Sequence, residues 1–113
     1  ENENADLRPL IQKALQMVKK EYDQGITLEE MADKLFVSEE YLSSQFKKEI
    51  GVGFKEMVRT LQIERIKELL TNTKLKLNQI AELAGYSDAK YMSRVFKDEV
   101  GVLPSEFRKS AHC

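Results

Sequence analysis

Tryptophan is absent from this chain, and its 113 residues include only two prolines, five glycines, one cysteine and one histidine. Each shortage excludes something. Cys113, alone at the last position, can close no internal disulfide, and His112 beside it lacks the further ligands a zinc site needs. Both read as tail. The body of the chain has no histidine or cysteine, no phosphate-binding glycine loop and no clustered carboxylates in a strand-bearing scaffold, so the groups most enzymes require are missing. No catalytic residue, metal site or cofactor is expected. No apolar run approaches the roughly 18 residues a membrane-spanning helix needs, and no charged-then-apolar leader opens the sequence, so a soluble, cytoplasmic protein without membrane contact is expected.

What is present favours helix. Apolar residues make up 42% and charged residues 33%, with Leu, Lys and Glu dominant and strand signals nearly absent, a composition typical of all-α proteins. The length suits one compact domain with room for two lobes. Net charge is −1, but residues 24–56 carry seven acidic side chains against four basic ones, whereas residues 57–75 carry four basic against two acidic. Nucleic-acid-binding domains usually show a basic surplus. The acidic balance therefore keeps a second reading open, a helical protein–protein interaction module that never touches DNA.

Residues 1–6 have no apolar periodicity and read as a disordered start or linker remnant. Seven helices follow. Leu7, Leu10, Ile11, Ala14, Leu15, Val18 and Tyr22 fall on one face of the first, which Gly25 is placed to end near Gln24. Thr27 with Glu30 forms a capping box for a second, short helix striped by Leu28, Met31, Ala32 and Leu35. Ser38 opens a third, with Tyr41, Leu42, Phe46 and Ile50 inward, and Gly51 stops it. Phe54 to Leu70 is the longest periodic stretch and spans about 25 Å. Leu77 to Ala84, a helix from the Ser87 cap to about Val100, and a last short helix from Pro104 through Phe107 and Arg108 complete the order. Tyr91 and Phe96 are assigned to the core with Tyr41 and Phe46, as are Met17, Met31, Met57 and Met92.

The second half repeats the first. Thr27 to Met57 is echoed by Lys76 to Phe107, with Leu28, Met31, Ala32 and Ser38 matching Leu77, Ile80, Ala81 and Ser87 at an offset of 49, and Tyr41, Leu42, Ser43, Phe46 and Gly51 matching Tyr91, Met92, Ser93, Phe96 and Gly101 at an offset of 50. One residue is inserted just after the serine, within a turn, as true repeats tolerate. Each copy has a short helix with a central alanine, a tight turn, and a second helix opened by a cap and anchored by aromatics, which is the helix-turn-helix pattern. Ala32 and Ala81 suit the point where the two helices cross. Gly85 suits a turn residue with positive φ. Phe36 takes the matching place in the first copy, so that turn either has another geometry or accepts strain.

The expected organisation is a start at 1–6, a first helix-turn-helix subdomain at 7–56, a linker helix at 57–73, a second subdomain at 74–110 and a tail at 111–113. Two homeodomain-like units separated by such a helix could set their second helices about 34 Å apart, the spacing of successive major-groove faces on one side of B-DNA.

The run Ile80-Ala81-Glu82-Leu83-Ala84-Gly85-Tyr86-Ser87-Asp88, continuing through Tyr91 to Lys97 and Gly101 to Arg108, resembles the signature of the AraC/XylS-type bacterial transcription regulators in their C-terminal DNA-binding domain. The likeness covers nearly the whole chain. It departs at Gln62 and Ile66, where the family usually has Arg and Ala, and at Lys76, where it has a Ser or Thr cap. The resemblance implies double-stranded promoter or operator DNA as partner, and in the full-length protein an upstream sensory or receiver domain. RNA polymerase is a further possible partner. It implies base contacts from Ala89, Lys90, Ser93 and Arg94 and, at matching places in the first copy, from Glu40, Ser43 and Ser44. Lys47, Lys48, Lys97, Arg108 and Lys109 are candidate phosphate contacts, together with backbone amides at the helix starts near Leu28 and Leu77.

Overall fold

The computed structural model describes residues 8–111; residues 1–7, with the start expected at 1–6 and Leu7 of the expected first helix face, and residues 112–113 of the expected tail lie outside that range. Among the described residues there are seven α-helices and no strand: α1 Pro9–Glu21, α2 Leu28–Leu35, α3 Glu39–Ile50, α4 Phe54–Asn72, α5 Leu77–Leu83, α6 Ala89–Val100 and α7 Pro104–Ala111. α1 starts with proline at its first turn, where the missing N–H is no loss. It gives way at Tyr22–Gln24 to one turn of 3-10 helix, ended by Gly25 at φ 78°. The packing divides between Arg59 and Thr60, inside α4.

In the first unit α1, α2 and α3 pack on one another. Their buried side chains are Ile11, Ala14, Leu15, Val18, Ile26, Met31, Ala32, Leu42 and Phe46. Fully burying a side chain the size of Phe46 contributes about 3 kcal/mol, and its ring meets Phe54 edge-on at 6.3 Å. Met17 and Met57 are only half-buried, whereas Met31 and Met92 are inside. Ahead of α1, the Arg8 N–H donates to Glu49 Oε1 at 3.0 Å, and its guanidinium lies 3.4 Å from Oε2.

The second unit repeats this plan with the later part of α4 standing where α1 stands in the first. Ile63, Ile66, Leu69 and Leu70 join Ile80, Ala81, Ala84, Met92 and Phe96 in one buried cluster. Phe107 closes it, meeting Phe96 edge-on at 5.6 Å, with the Lys67 ammonium over its ring at 6.0 Å from the centroid. α4 lacks a clean apolar stripe because its first residues face one core and its later residues another.

No glycine ends α4. Side chains hold its end and the segment that follows: the Thr73 hydroxyl donates to Leu69 O at 2.6 Å, and the Arg108 guanidinium donates to Leu70 O in the last turn and to Thr73 O and Leu75 O just beyond it, at 3.2, 3.2 and 2.8 Å. Arg108, expected to contact phosphate, is therefore turned inward. A planar fork of N–H groups suits carbonyls that a helix end leaves unpaired.

Candidate nucleic-acid interface

Both helix-turn-helix pairs are built by the same local rules. α2 is opened by the expected capping box, Thr27 N–H to Glu30 Oε1 and Glu30 N–H to Thr27 Oγ1, each 3.1 Å. α5 keeps half of it: the Lys76 N–H donates to Gln79 Oε1 at 3.0 Å, and an ammonium can return no such bond. Ala32 and Ala81 are buried beneath α3 and α6, where added volume costs about 1–3 kcal/mol.

The two turns share one hydrogen-bond pattern. Val37 N–H donates to Ala32 O at 3.1 Å and Phe36 N–H to Asp33 O at 3.3 Å; Tyr86 N–H donates to Ala81 O at 2.8 Å and Gly85 N–H to Glu82 O at 3.2 Å. This is the helix-ending motif that needs one left-handed residue. Gly85 supplies it at φ 92°, and Phe36 supplies it at φ 61° with its side chain 93% exposed. Of the two geometries open for the first turn, strain is the one adopted.

α3 starts at the expected cap, and α6 starts one residue later than expected. Ser38 Oγ accepts the Tyr41 N–H at 3.1 Å, but in the second unit Asp88 Oδ1, not Ser87, accepts the Tyr91 N–H at 2.7 Å. Ser87 is thus the inserted residue, and it precedes the cap. A carboxylate caps as well as a hydroxyl and also opposes the positive helix end. α3 and α6 then run 12 residues each and stop at Gly51 and Gly101, both left-handed.

Fixed in this way, α3 and α6 bury Leu42 and Phe46, and Met92 and Phe96, and turn the opposite side outward. On α3 the exposed side chains are Glu39, Glu40, Ser43, Ser44, Lys47 and Lys48, and the first four line a shallow cleft with Leu28 at the start of α2. The α2 start and the α3 face are so brought together. On α6, Lys90, Arg94 and Lys97 are exposed, Ser93 is half-buried, and Ala89 lies partly against the core. Lys109 is exposed on α7. Tyr41 and Tyr91, assigned to the core by periodicity, are instead 44% and 50% exposed. Each stands five residues before its buried phenylalanine, about 140° around the helix from it, and so on the flank.

Two capped, aromatic-anchored second helices with polar outward faces define a double helix-turn-helix protein. A family model described as a helix-turn-helix domain matches residues 31–110, and the chain belongs to the AraC/XylS-type family of DNA-binding domains. The C-terminal domain of AraT, a response regulator from Geobacillus stearothermophilus, is 36% identical, with a TM-score of 0.89 over 94% of this chain and 88% of that one. The C-terminal domain of the response regulator YesN from Fusobacterium nucleatum is 33% identical, with a TM-score of 0.79 over 86% and 96%. The Msm operon regulatory protein of Streptococcus mutans is 29% identical over 96% of this chain, which spans 39% of that protein's length. The DNA-binding domain of AdpA, solved with a target DNA, shares the fold at a TM-score of 0.84 and 14% identity. Among the described residues no helix is long and apolar enough to cross a membrane.

Proposed function

We propose that this chain is the DNA-reading part of a longer transcription regulator and binds duplex DNA sequence-specifically, with α3 and α6 lying in successive major grooves. The observation that carries the reading is the doubled unit, whose scaffold is kept in both copies while the outward side chains differ. In the second unit Arg94 bonds bidentately to guanine O6 and N7, Lys90 acts as a less directional donor, Ser93 as a short adaptable one, and Ala89 as an apolar contact. In the first unit Glu40 accepts from cytosine N4, with Ser43 and Ser44 beside it. Lys47, Lys48, Lys97 and Lys109 bind phosphates. Arg108 supports the second unit from within and leaves this set.

The description of AraT and YesN as response regulators supports an upstream receiver or sensing domain in the whole protein. Regulation would act on the bound promoter in the cytoplasm, with RNA polymerase as partner. A gel-shift titration at two salt concentrations tests the reading. With four lysines on phosphates, log K should fall against log salt with a slope of about −4, and affinity should drop steeply between about 50 and 200 mM salt. If no duplex is retarded even at the lower salt, the helical protein-interaction reading takes its place.

A further inference from the structure

We propose that Tyr41 and Tyr91 are a matched pair of DNA-backbone contacts, one on each reading helix, whose phenol hydroxyls donate to phosphate oxygens and set how α3 and α6 seat in their grooves. The inference rests on the DNA-binding reading above and adds a contact type that the charges do not reveal.

Three observations converge. The first is exposure. A tyrosine used only for packing is covered, yet these two are 44% and 50% exposed, while Phe46 and Phe96, further along the same helices, are fully buried. Neither hydroxyl has a hydrogen-bond partner among the described residues. The second is fixation. Each tyrosine N–H is held by the N-cap, Ser38 in one copy and Asp88 in the other, and the Tyr91 ring rests against Tyr86 with centroids 5.8 Å apart. A donor on a held ring loses little rotamer freedom when it binds.

The third is what the repeat keeps. Along the outward side the copies differ at Glu39 against Ala89, Glu40 against Lys90, Ser44 against Arg94, and Lys48 against Asp98. Tyr41 with Tyr91, Ser43 with Ser93, and Lys47 with Lys97 are the same. Base edges differ from groove to groove, whereas the sugar–phosphate wall is common to both. Side chains exposed in both copies and unchanged between them, Tyr41 with Tyr91 and Lys47 with Lys97, therefore fit the wall, whereas Ser93 is half-buried. Position agrees. Tyr41 lies one turn from Ser44 and two from Lys48, on the flank of α3 and off the line through Glu40 and Ser43, and a helix flank in a groove faces backbone. A phenol O–H is a neutral donor long enough to reach across that gap.

The test uses Tyr41→Phe, Tyr91→Phe and the double variant of the whole chain, which remove only the oxygens. The DNA probes are a duplex selected from a randomised pool by the wild-type chain and a scrambled duplex of equal composition. Each single variant should weaken binding about three- to tenfold on both duplexes, the double variant more, with the ratio between duplexes and the salt slope unchanged. Ethylating one phosphate per unit should block the wild type and lose its effect in the matching variant. Wild-type affinity in all three variants overturns the proposal while leaving DNA binding intact, and so does a loss confined to the selected duplex. A wild-type chain that retards neither duplex removes the DNA-binding reading and the proposal with it.

Discussion

Phe36 and Gly85 occupy one turn position in two copies, and the comparison isolates what a side chain does there. Phe36 gains almost no packing, since it is 93% exposed, and still holds φ at 61°. The left-handed conformation costs a non-glycine residue about 1–2 kcal/mol, and glycine returns part of that as extra unfolded-state entropy. Phe36→Gly should therefore stabilise the chain by about 1 kcal/mol, raising the thermal midpoint followed by circular dichroism by a few degrees. An unchanged or lower midpoint would mean that the ring has a packing role its exposure conceals. The sequence could pose this question and not answer it, because phenylalanine is compatible with either turn geometry. Arg108 was hidden for another reason. A cation next to Lys109 looks like surface, and only the fold reveals that the end of α4 and the segment after it lie beside Arg108 with three carbonyls to satisfy. Placing the remaining lysines and serines on outward faces needed only the helical period.

Helix boundaries follow from caps, and the caps of α3 and α6 separate what was legible from what was not. Matching serine to serine put the inserted residue after Ser87, but the offset of 50 already held at Tyr41 and Tyr91. Carried back three residues from Tyr91, that offset points to Asp88, the residue that caps. Asp88→Ala should destabilise the second unit by about 1 kcal/mol, as loss of a cap does, while Ser87→Ala should change stability by less than about 0.5 kcal/mol. Urea denaturation of both variants checks this, and equal effects would show that the cap is shared. The tyrosines follow from the helical period itself: at about 100° per residue, Tyr41 lies about 140° around α3 from Phe46 and so at the edge of the buried side, which grouping by apolar character overlooks. α4 was readable as a long helix and not as a shared one, because apolar residues spread around its circumference could equally mark a lone linker.

Across the whole molecule a net charge of −1 suits a DNA-binding protein only if the charge is unevenly placed, and it is. α6 exposes Lys90, Arg94 and Lys97 ahead of Asp98 and Glu99 in its last turn, whereas α3 balances Lys47 and Lys48 with Glu39 and Glu40 in its first. Carboxylates near phosphates oppose binding unless a cytosine amino group receives them. The first unit should therefore add selectivity more than grip, and the second should hold the DNA. Arg94→Ala is expected to cost about 1–3 kcal/mol on the selected duplex and to relax preference at one base pair of its half-site, while Ser43→Ala and Ser44→Ala cost less. Titrating the three variants against duplexes mutated singly in each half-site measures both effects. If the serine variants lose more affinity than Arg94→Ala, the first unit leads and the charge argument is reversed.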